Sequence, residues 1–400
     1  MRKLLLSAAS VGLIAAPAMA EVSDGKVKIG ILNDQSGVYS DFGGKNSYEA
    51  ARMAVEDFGG TVLGAPIEVV TADHQNKADI ASNIARQWYD NDQVDTIMEL
   101  TSSSVGLAVQ ALSLEKKKIT INTGAATTEL TGAQCSPYGF HWAYDTHALA
   151  VGTGGALVKE GGDSWYFLTA DYAFGYSLEE NTSTFVKDQG GQVLGAVRHP
   201  LATTDYSSFL LQAQASGAKV IGLANAGMDT QNAIKQASEF GITAGGQKLA
   251  ALLFTIAEVH GMGAEAAQGL NLTESFYWNR TPETAEFGKR FHERTGAMPN
   301  MNHAGVYSAV TSYLKAIEAA GTDDTEAVAV KLHELPVSDV FAENGTVGAN
   351  GRLIKDIYLM EVKAPAEITE EWDYYNVLAT IPGAEAFIDP AKSGCPLVTQ

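Results

Sequence analysis

The sequence predicts an α/β protein of two domains, each with a parallel sheet between layers of helices. Three observations predict this class. Short apolar runs alternate with helical patterns from Val27 to Asn122, and the same rhythm restarts from Trp165 to Phe276. Alternation of that kind reads as successive βαβ units. The loops after the runs are small and polar, as at the carboxyl edge of an open parallel sheet, where ligands of such folds bind. The chain has 400 residues, more than one hydrophobic core usually fills.

The elements follow in order. Val27–Leu32 (VKIGIL) is a strand, and Asn33-Asp34-Gln35-Ser36-Gly37 is its turn. A helix spans about 47–58, with Tyr48, Ala51, Val55 and Phe58 on one face and Gly59-Gly60 closing it. Ile67–Thr71 is a strand, and a helix after Asn76 places Ile80, Ile84 and Trp88 four apart. VDTIMEL from Val94 and ITIN at Ile119–Asn122 flank a helix that carries Val105, Ala108 and Leu112 and ends in a lysine run. The loops after those two strands are TSSS and TGAATTELT. Free N–H groups at the helix start, beside Ser102 and Ser103, suit a carboxylate or another acceptor. The same serines also read as plain N-caps.

His141-Trp142-Ala143-Tyr144-Asp145 breaks the alternation, and the first crossing between domains is expected there. Trp165–Thr169 is a strand with the loop ADYAFG, a helix runs to Lys187, and Gln192–Val197 is a strand. A helix at 206–216 and a strand at Lys219–Ala224 follow, with the loop Asn225-Ala226-Gly227-Met228. Asp229 is expected to cap the next helix, which Gly241 closes. Leu249–Phe254 and Gly269–Phe276 read as strands, then helices at 284–295, 303–320 and 324–334, a strand at 355–362 and an irregular tail. Late helices need a sheet to cover, so the chain is expected to return to the first domain through several crossings.

The chain opens MRKLLLSAASVGLIAAPAMA, with Arg2 and Lys3, an apolar run and Ala18-Met19-Ala20. That pattern predicts a secretory signal peptide over 1–20, and no later run approaches the ~20 apolar residues of a membrane helix. Cleavage takes the formal charge from −20 to about −22, which argues against nucleic acid and anionic membranes as partners. Cys135 and Cys395 are the two cysteines. In an oxidising compartment they most simply pair, and two free thiols are the alternative.

Catalytic signatures are missing from the sequence. The eight histidines form no HExxH, so no metal site and no cofactor are expected. Gly152-Thr153-Gly154-Gly155 follows no strand and is not a dinucleotide fingerprint. Gly175-Tyr176-Ser177 lacks the second glycine of a nucleophile elbow. Binding without chemistry is the expected class. Tyr39, Phe42, Tyr172, Phe174, Phe254, Phe276, Tyr277 and Trp278 fall at or near strand ends. Each alone suits core packing, and several converging would build an apolar pocket with a few polar anchors.

The stretches VKIGILNDQSGVYSDFG, ELTSSS, NTGAATTELT, LTADYAFG and KVIGLANAG resemble the periplasmic branched-chain-amino-acid-type binding proteins of ABC importers. The resemblance covers nearly the whole mature chain. It implies a type I periplasmic binding protein, an α/β fold of two Rossmann-like lobes with parallel sheets joined by three hinge crossings. The lobes are expected over 24–142 with 277–338, and over 143–276 with 339–400. The protein would be a periplasmic monomer that delivers a small ligand to an ABC permease. Ligand contacts are expected from Tyr39, Phe42, Ser102, Ser103, Gly124, Ala125 and Ala126 in the first lobe, and from Tyr172, Phe174, Asn225, Met228 and Phe254 in the second.

Two departures bear on the ligand. Amino-acid binders of the family place a threonine where this chain has Ala126, and an acid after the strand that here reads Ala251-Leu252-Leu253-Phe254. A buried ammonium without a counter-charge costs several kcal/mol, so an α-amino acid is disfavoured, with Glu258 the nearest substitute acid. DHQNKADIA, LTADYAFG, DYSSFLLQAQAS and CSP also look similar to a branch that binds aromatic carboxylates of the benzoate or hydroxycinnamate type. A branched-chain amino acid or amide binder, and a ligand-sensing receptor module of the same fold, are the alternatives.

Overall fold

The computed structural model describes residues 22–398, so the expected signal peptide lies outside the described residues. Six strands form the first sheet: β1 (Val27–Asn33), β2 (Thr61–Val62), β3 (Ala65–Asp73), β4 (Thr96–Glu99), β5 (Ile119–Asn122) and β6 (Gly139–His141), in the order β2-β3-β1-β4-β5-β6. Every pairing except the β2–β3 hairpin is parallel. The register sets Leu32 beside Glu99, Glu99 beside Asn122 and Asn122 beside His141. The loops that follow these strands therefore emerge along one edge. β1, β4 and β5 are buried on both faces, which is why they read as continuous apolar runs. Helices α1 (Asn46–Phe58), α2 (Ala78–Asp90) and α3 (Ser103–Lys116) cover the faces.

The second lobe repeats the plan with β7 (Ser164–Ala170), β8 (Gln192–His199), β9 (Val220–Ala224) and β10 (Lys248–Ala251), parallel in the order β10-β9-β7-β8. Its helices are α4 (Ala173–Asp188), α5 (Ser207–Ala215) and α6 (Gly227–Glu239). A third, antiparallel sheet joins β11 (Asn271–Glu274) to two late strands. Three more helices, α7 (Pro282–Thr295), α8 (Met301–Ala320) and α9 (Thr325–Glu334), return to the first lobe, where α8 packs along α1. The hairpin of β12 (Thr346–Val347) and β13 (Leu353–Ile354) precedes β14 (Ile357–Val362) and β15 (Tyr375–Ile381), which complete the third sheet as β11-β14-β15.

Two local expectations need correction. Asp229 is not an N-cap: α6 starts at Gly227, and the Asp229 carboxylate accepts the N–H groups of Ala202 and Thr203 instead. The tail holds the strand β15, an edge strand whose central Val377 and Leu378 are exposed, so it carries no core periodicity. In the late segment Arg352 pairs with His141 and Gly345 with Val337. The tail returns to the same body through a disulfide between Cys135 and Cys395, whose Cα atoms are 5.6 Å apart. A loop closed over 260 residues removes about 5.6 kcal/mol of unfolded-state entropy in the chain model.

Three segments cross between the lobes, and two buried cations bind them together. Arg352 donates to the carbonyls of Trp142 and Tyr144 at 3.0 and 2.9 Å and faces Asp145 at 3.8 Å. Lys355 donates to the Ser275 carbonyl at 2.6 Å. Backbone carbonyls thus replace water around both charges, and the rings of Phe387 and Phe341 lie against Arg352 and Lys355 at 4.2 and 4.3 Å.

Candidate functional site

Between the lobes, at the carboxyl edges of both parallel sheets, lies a cavity lined by Tyr39, Phe42, Thr101, Ser102, Ser103, Gly124, Ala126, Tyr144, Tyr172, Phe174, Ala226 and Leu253. About 260 Å³ of atom-free space, part of it continuous with solvent, lies among these residues. The cavity is narrow because the lobes touch. The Tyr39 and Tyr172 hydroxyls stand 2.5 Å apart, and the Met228 N–H donates to the Val38 carbonyl at 3.2 Å.

The first-lobe wall is polar and firmly tied. Asp34 accepts the N–H groups of Gly37 and Tyr39, which turns the loop after β1 and sets Tyr39 over the cavity. Ser103 starts α3, and its Oγ accepts from the Ala126 and Thr127 amides at 3.4 and 3.2 Å. That hydroxyl staples the β5 loop and is already committed. Ser102 differs: its backbone sits at φ 93°, and its buried Oγ makes no well-formed hydrogen bond, lying near the Tyr172 hydroxyl, which pairs with Tyr39. A buried hydroxyl left unpaired is costly, and this one lies at the start of a helix of 14 residues, where free N–H groups and the helix dipole favour an anion. The Tyr144 hydroxyl donates to the Gly124 carbonyl at 2.8 Å, and its ring meets Phe42 edge-on at 5.9 Å.

The second-lobe wall is apolar. Tyr172 and Phe174 sit at a centroid distance of 6.0 Å, with Ala226 and Leu253 beside them. Burial and the nearby tyrosine push Tyr39 well above the usual phenol range, and burial raises Tyr172 too, so both stay neutral hydroxyls. No Asp, Glu, Lys or Arg side chain lines the cavity. Glu258, the substitute acid, is buried in a capping box, where one carboxylate oxygen accepts the N–H and hydroxyl of Thr255.

Eight of the expected residues line the cavity: Tyr39, Phe42, Ser102, Ser103, Gly124, Ala126, Tyr172 and Phe174. Four do not. Ala125 faces away, with its carbonyl accepting from His141. Asn225 is spent inside the second lobe on His199 and Thr230. Met228 is at the surface, 48% exposed, and Phe254 is in the core. Their neighbours Ala226 and Leu253 take the lining positions. Sequence reading missed Thr101, Ala226 and Leu253 by one or two positions. It missed Tyr144, although HWAYD follows the parallel strand β6, a signal that could have found it. Among the described residues no group of three His, Cys, Asp or Glu side chains could hold a metal ion, and no helix is long and apolar enough to cross a membrane.

Comparison with known proteins agrees with this architecture. The family model described as periplasmic binding protein matches residues 26–367. The crystal structure of a periplasmic binding protein from Burkholderia mallei is 52% identical, covers 94% of this chain and 100% of that one, and superposes with a TM-score of 0.92. A branched chain amino acid ABC transporter periplasmic ligand-binding protein from Burkholderia xenovorans is 38% identical, with 93% and 100% coverage and a TM-score of 0.83. A solute-binding protein of an ABC transporter from R. palustris, in complex with 4-hydroxybenzoate, is 23% identical over 89% of this chain and 97% of that one, with a TM-score of 0.79. The chain belongs to the periplasmic binding protein family and has the type I fold of the solute-binding proteins of ABC transporters, which bind ligands and are not enzymes.

Proposed function

We propose that this protein captures an aromatic carboxylate between its lobes in the periplasm and, as a monomer, hands it to an ABC permease. The carrying observation is the division of the cavity. One wall presents the unpaired Ser102 hydroxyl at the α3 N-terminus, and the other presents Tyr172, Phe174 and Leu253 with no charged side chain. Ser102 and the free N–H groups of α3 would receive the carboxylate, while the ring would lie among Tyr39, Phe42, Tyr172 and Phe174. The lobes would close by rotation about the three crossings.

An α-amino acid would bring an ammonium to a lining that offers no carboxylate, at a cost of several kcal/mol. The relative from B. xenovorans, described by its branched-chain transporter, favours that second reading; the bound 4-hydroxybenzoate of the R. palustris protein favours the first. Thermal-shift titration of the ligand-stripped mature protein separates them. A ligand at 100 times its dissociation constant stabilises by ~2.7 kcal/mol. Melting shifts with benzoate and hydroxycinnamates and none with leucine or valine are expected. A shift with leucine or valine alone would overturn the aromatic assignment and make Glu258 the counter-charge to test.

A further inference from the structure

The backbone after β4 is held in an unfavourable shape. Glu99, Leu100 and Ser102 have φ of 81°, 57° and 93°, a region disfavoured for any residue with a Cβ. Such strain persists only where the surroundings over-determine it. Here the Glu99 carboxylate does so. Its Oε2 accepts the Thr101 N–H at 2.7 Å, and its Oε1 accepts Thr101 Oγ1 at 2.6 Å, Asn302 Nδ2 at 2.7 Å and Ser47 Oγ at 3.3 Å. The Glu99 carbonyl, turned by the same strain, accepts the N–H groups of Thr123 and Gly124 at 3.1 and 2.9 Å. Asn302 closes the circuit, with Thr123 Oγ1 donating to its Oδ1 at 2.8 Å. A Cβ at Gly43 would come within 2.3 Å of Glu99 Oε1, so glycine there makes room for the carboxylate. One residue that does not line the cavity thus fixes both loops that do.

We propose that Glu99 is a positioning residue for ligand capture: its ionised carboxylate holds the β4 and β5 loops so that Ser102 and the α3 N-terminus face the ligand. The inference rests on the carboxylate anchor proposed above and adds what holds that anchor and when it loosens. An ionised carboxylate only accepts, which suits four donors. Once protonated it carries a donor of its own, and one of the four loses its acceptor. Burial pushes the Glu99 carboxyl up to about 6, against hydrogen bonds from Thr101 and Asn302. Affinity therefore falls as pH drops through 6.

Glu258, in its capping box and acting with Glu99 on Tyr144, is also raised by burial, to about 7. Glu99→Gln and the Asn302→Ala midpoint, rather than the pH slope alone, therefore assign the effect to Glu99. The remaining neighbours do not titrate in that window. Ser47 of α1 and Asn302 of α8 are uncharged, burial pushes His303 and His74 down to about 4, and Tyr144 is raised. Fold stability moves the opposite way. The folded carboxyl binds its proton more tightly than the unfolded one, so this group's contribution declines as pH rises from 4.5 to about 6. Affinity and stability with opposite pH slopes are the signature of a positioning role.

The test is calorimetric titration of benzoate into the mature protein at about pH 5 and about pH 7.5. It is paired with amide hydrogen exchange of segments 99–106 and 119–127 in the ligand-free protein at the higher pH. Glu99→Gln sets an amide N–H against the Thr101 N–H and so mimics the protonated state. Wild type should weaken about tenfold at the lower pH, the loss of one charge-assisted hydrogen bond. Glu99→Gln should be weak at both pH values, with faster exchange in both segments. Asn302→Ala, which removes a bond to the charged form, should move the affinity midpoint above 6. Glu99→Gln with wild-type affinity and pH slope overturns the inference, as does an unmoved midpoint in Asn302→Ala. If benzoate fails to bind wild type, the ligand reading falls, and exchange alone decides: unchanged protection in Glu99→Gln overturns the role of Glu99, and faster exchange supports it.

Discussion

The two walls of the cavity are built on the same βα plan yet differ in how they are held. On the first lobe, the loops after β4 and β5 share a hydrogen-bond network through Glu99, Ser103, Thr123 and Asn302, with backbone angles that only such a network sustains. On the second lobe, the N-caps of α4 and α6, Tyr172 and Ala226, have ordinary extended backbones, where Ser102, the N-cap of α3, is held at positive φ. The lining there is two aromatic rings and two aliphatic side chains. The comparison teaches a division of labour. A preorganised polar wall loses little entropy on meeting an anion, while an apolar wall gains by burying the ligand body and tolerates changes of its shape.

The largest expected effect breaks the comparison at the point of contact. Gly227 sits at φ 59°, and a Cβ there would lie 2.3 Å from the Val38 carbonyl of the opposite lobe. Gly227→Ala adds strain in either state but meets that carbonyl only when the lobes close. Affinity should fall more than tenfold while the ligand-free melting temperature drops modestly. Small-angle scattering with saturating ligand should report an open molecule, and a compact one would show that the lobes close without this contact.

Ser102→Ala comes next and tests the polar wall alone. The hydroxyl is buried and unpaired without ligand, so its loss should leave the ligand-free melting temperature unchanged or slightly raised. Affinity for an aromatic carboxylate should fall about tenfold, the low end of the range for one hydrogen bond to a charged group. Calorimetry on the same samples reads both quantities. A loss of stability with no loss of affinity would make Ser102 a structural residue and move the anchor elsewhere.

The same contrast explains what the sequence disclosed. The strand-helix rhythm was legible because buried parallel strands are apolar throughout: β5 lies over Ile119–Asn122, where the pattern placed it. On the first lobe most lining residues were legible too, because the polar loops TSSS and TGAATT announce themselves between apolar strands. On the second lobe Asn225, Met228 and Phe254 were expected and Ala226 and Leu253 line the cavity. These residues follow the ends of β9 and β10, where the chain has no strand alternation and aliphatic loops carry no polar signal to say which side chain faces the cavity. Glu99 was illegible for another reason. It ends a strand as one acid in an apolar run, and its partner Asn302 is 203 residues away in sequence, so only the return of α8 to the first lobe reveals the pair.

Tyr172→Phe carries the smallest effect and sharpens the comparison most. It removes one hydroxyl from the pair that Tyr39 and Tyr172 form across the cleft and leaves the apolar wall otherwise unchanged. If the second lobe acts by burial alone, the ring suffices and affinity should be unaltered. If the hydroxyl pair latches the closed state, closure loses one hydrogen bond of about 0.5–1.5 kcal/mol. That latch is the outcome expected from the 2.5 Å approach of the two hydroxyls, and it predicts a two- to tenfold loss. Because the bond forms only after the lobes meet, the loss should appear in the dissociation rate, with association unchanged. Stopped-flow measurement separates the two rates. A slower association instead would place Tyr172 on the path of ligand entry, and the second wall would then select as well as cover.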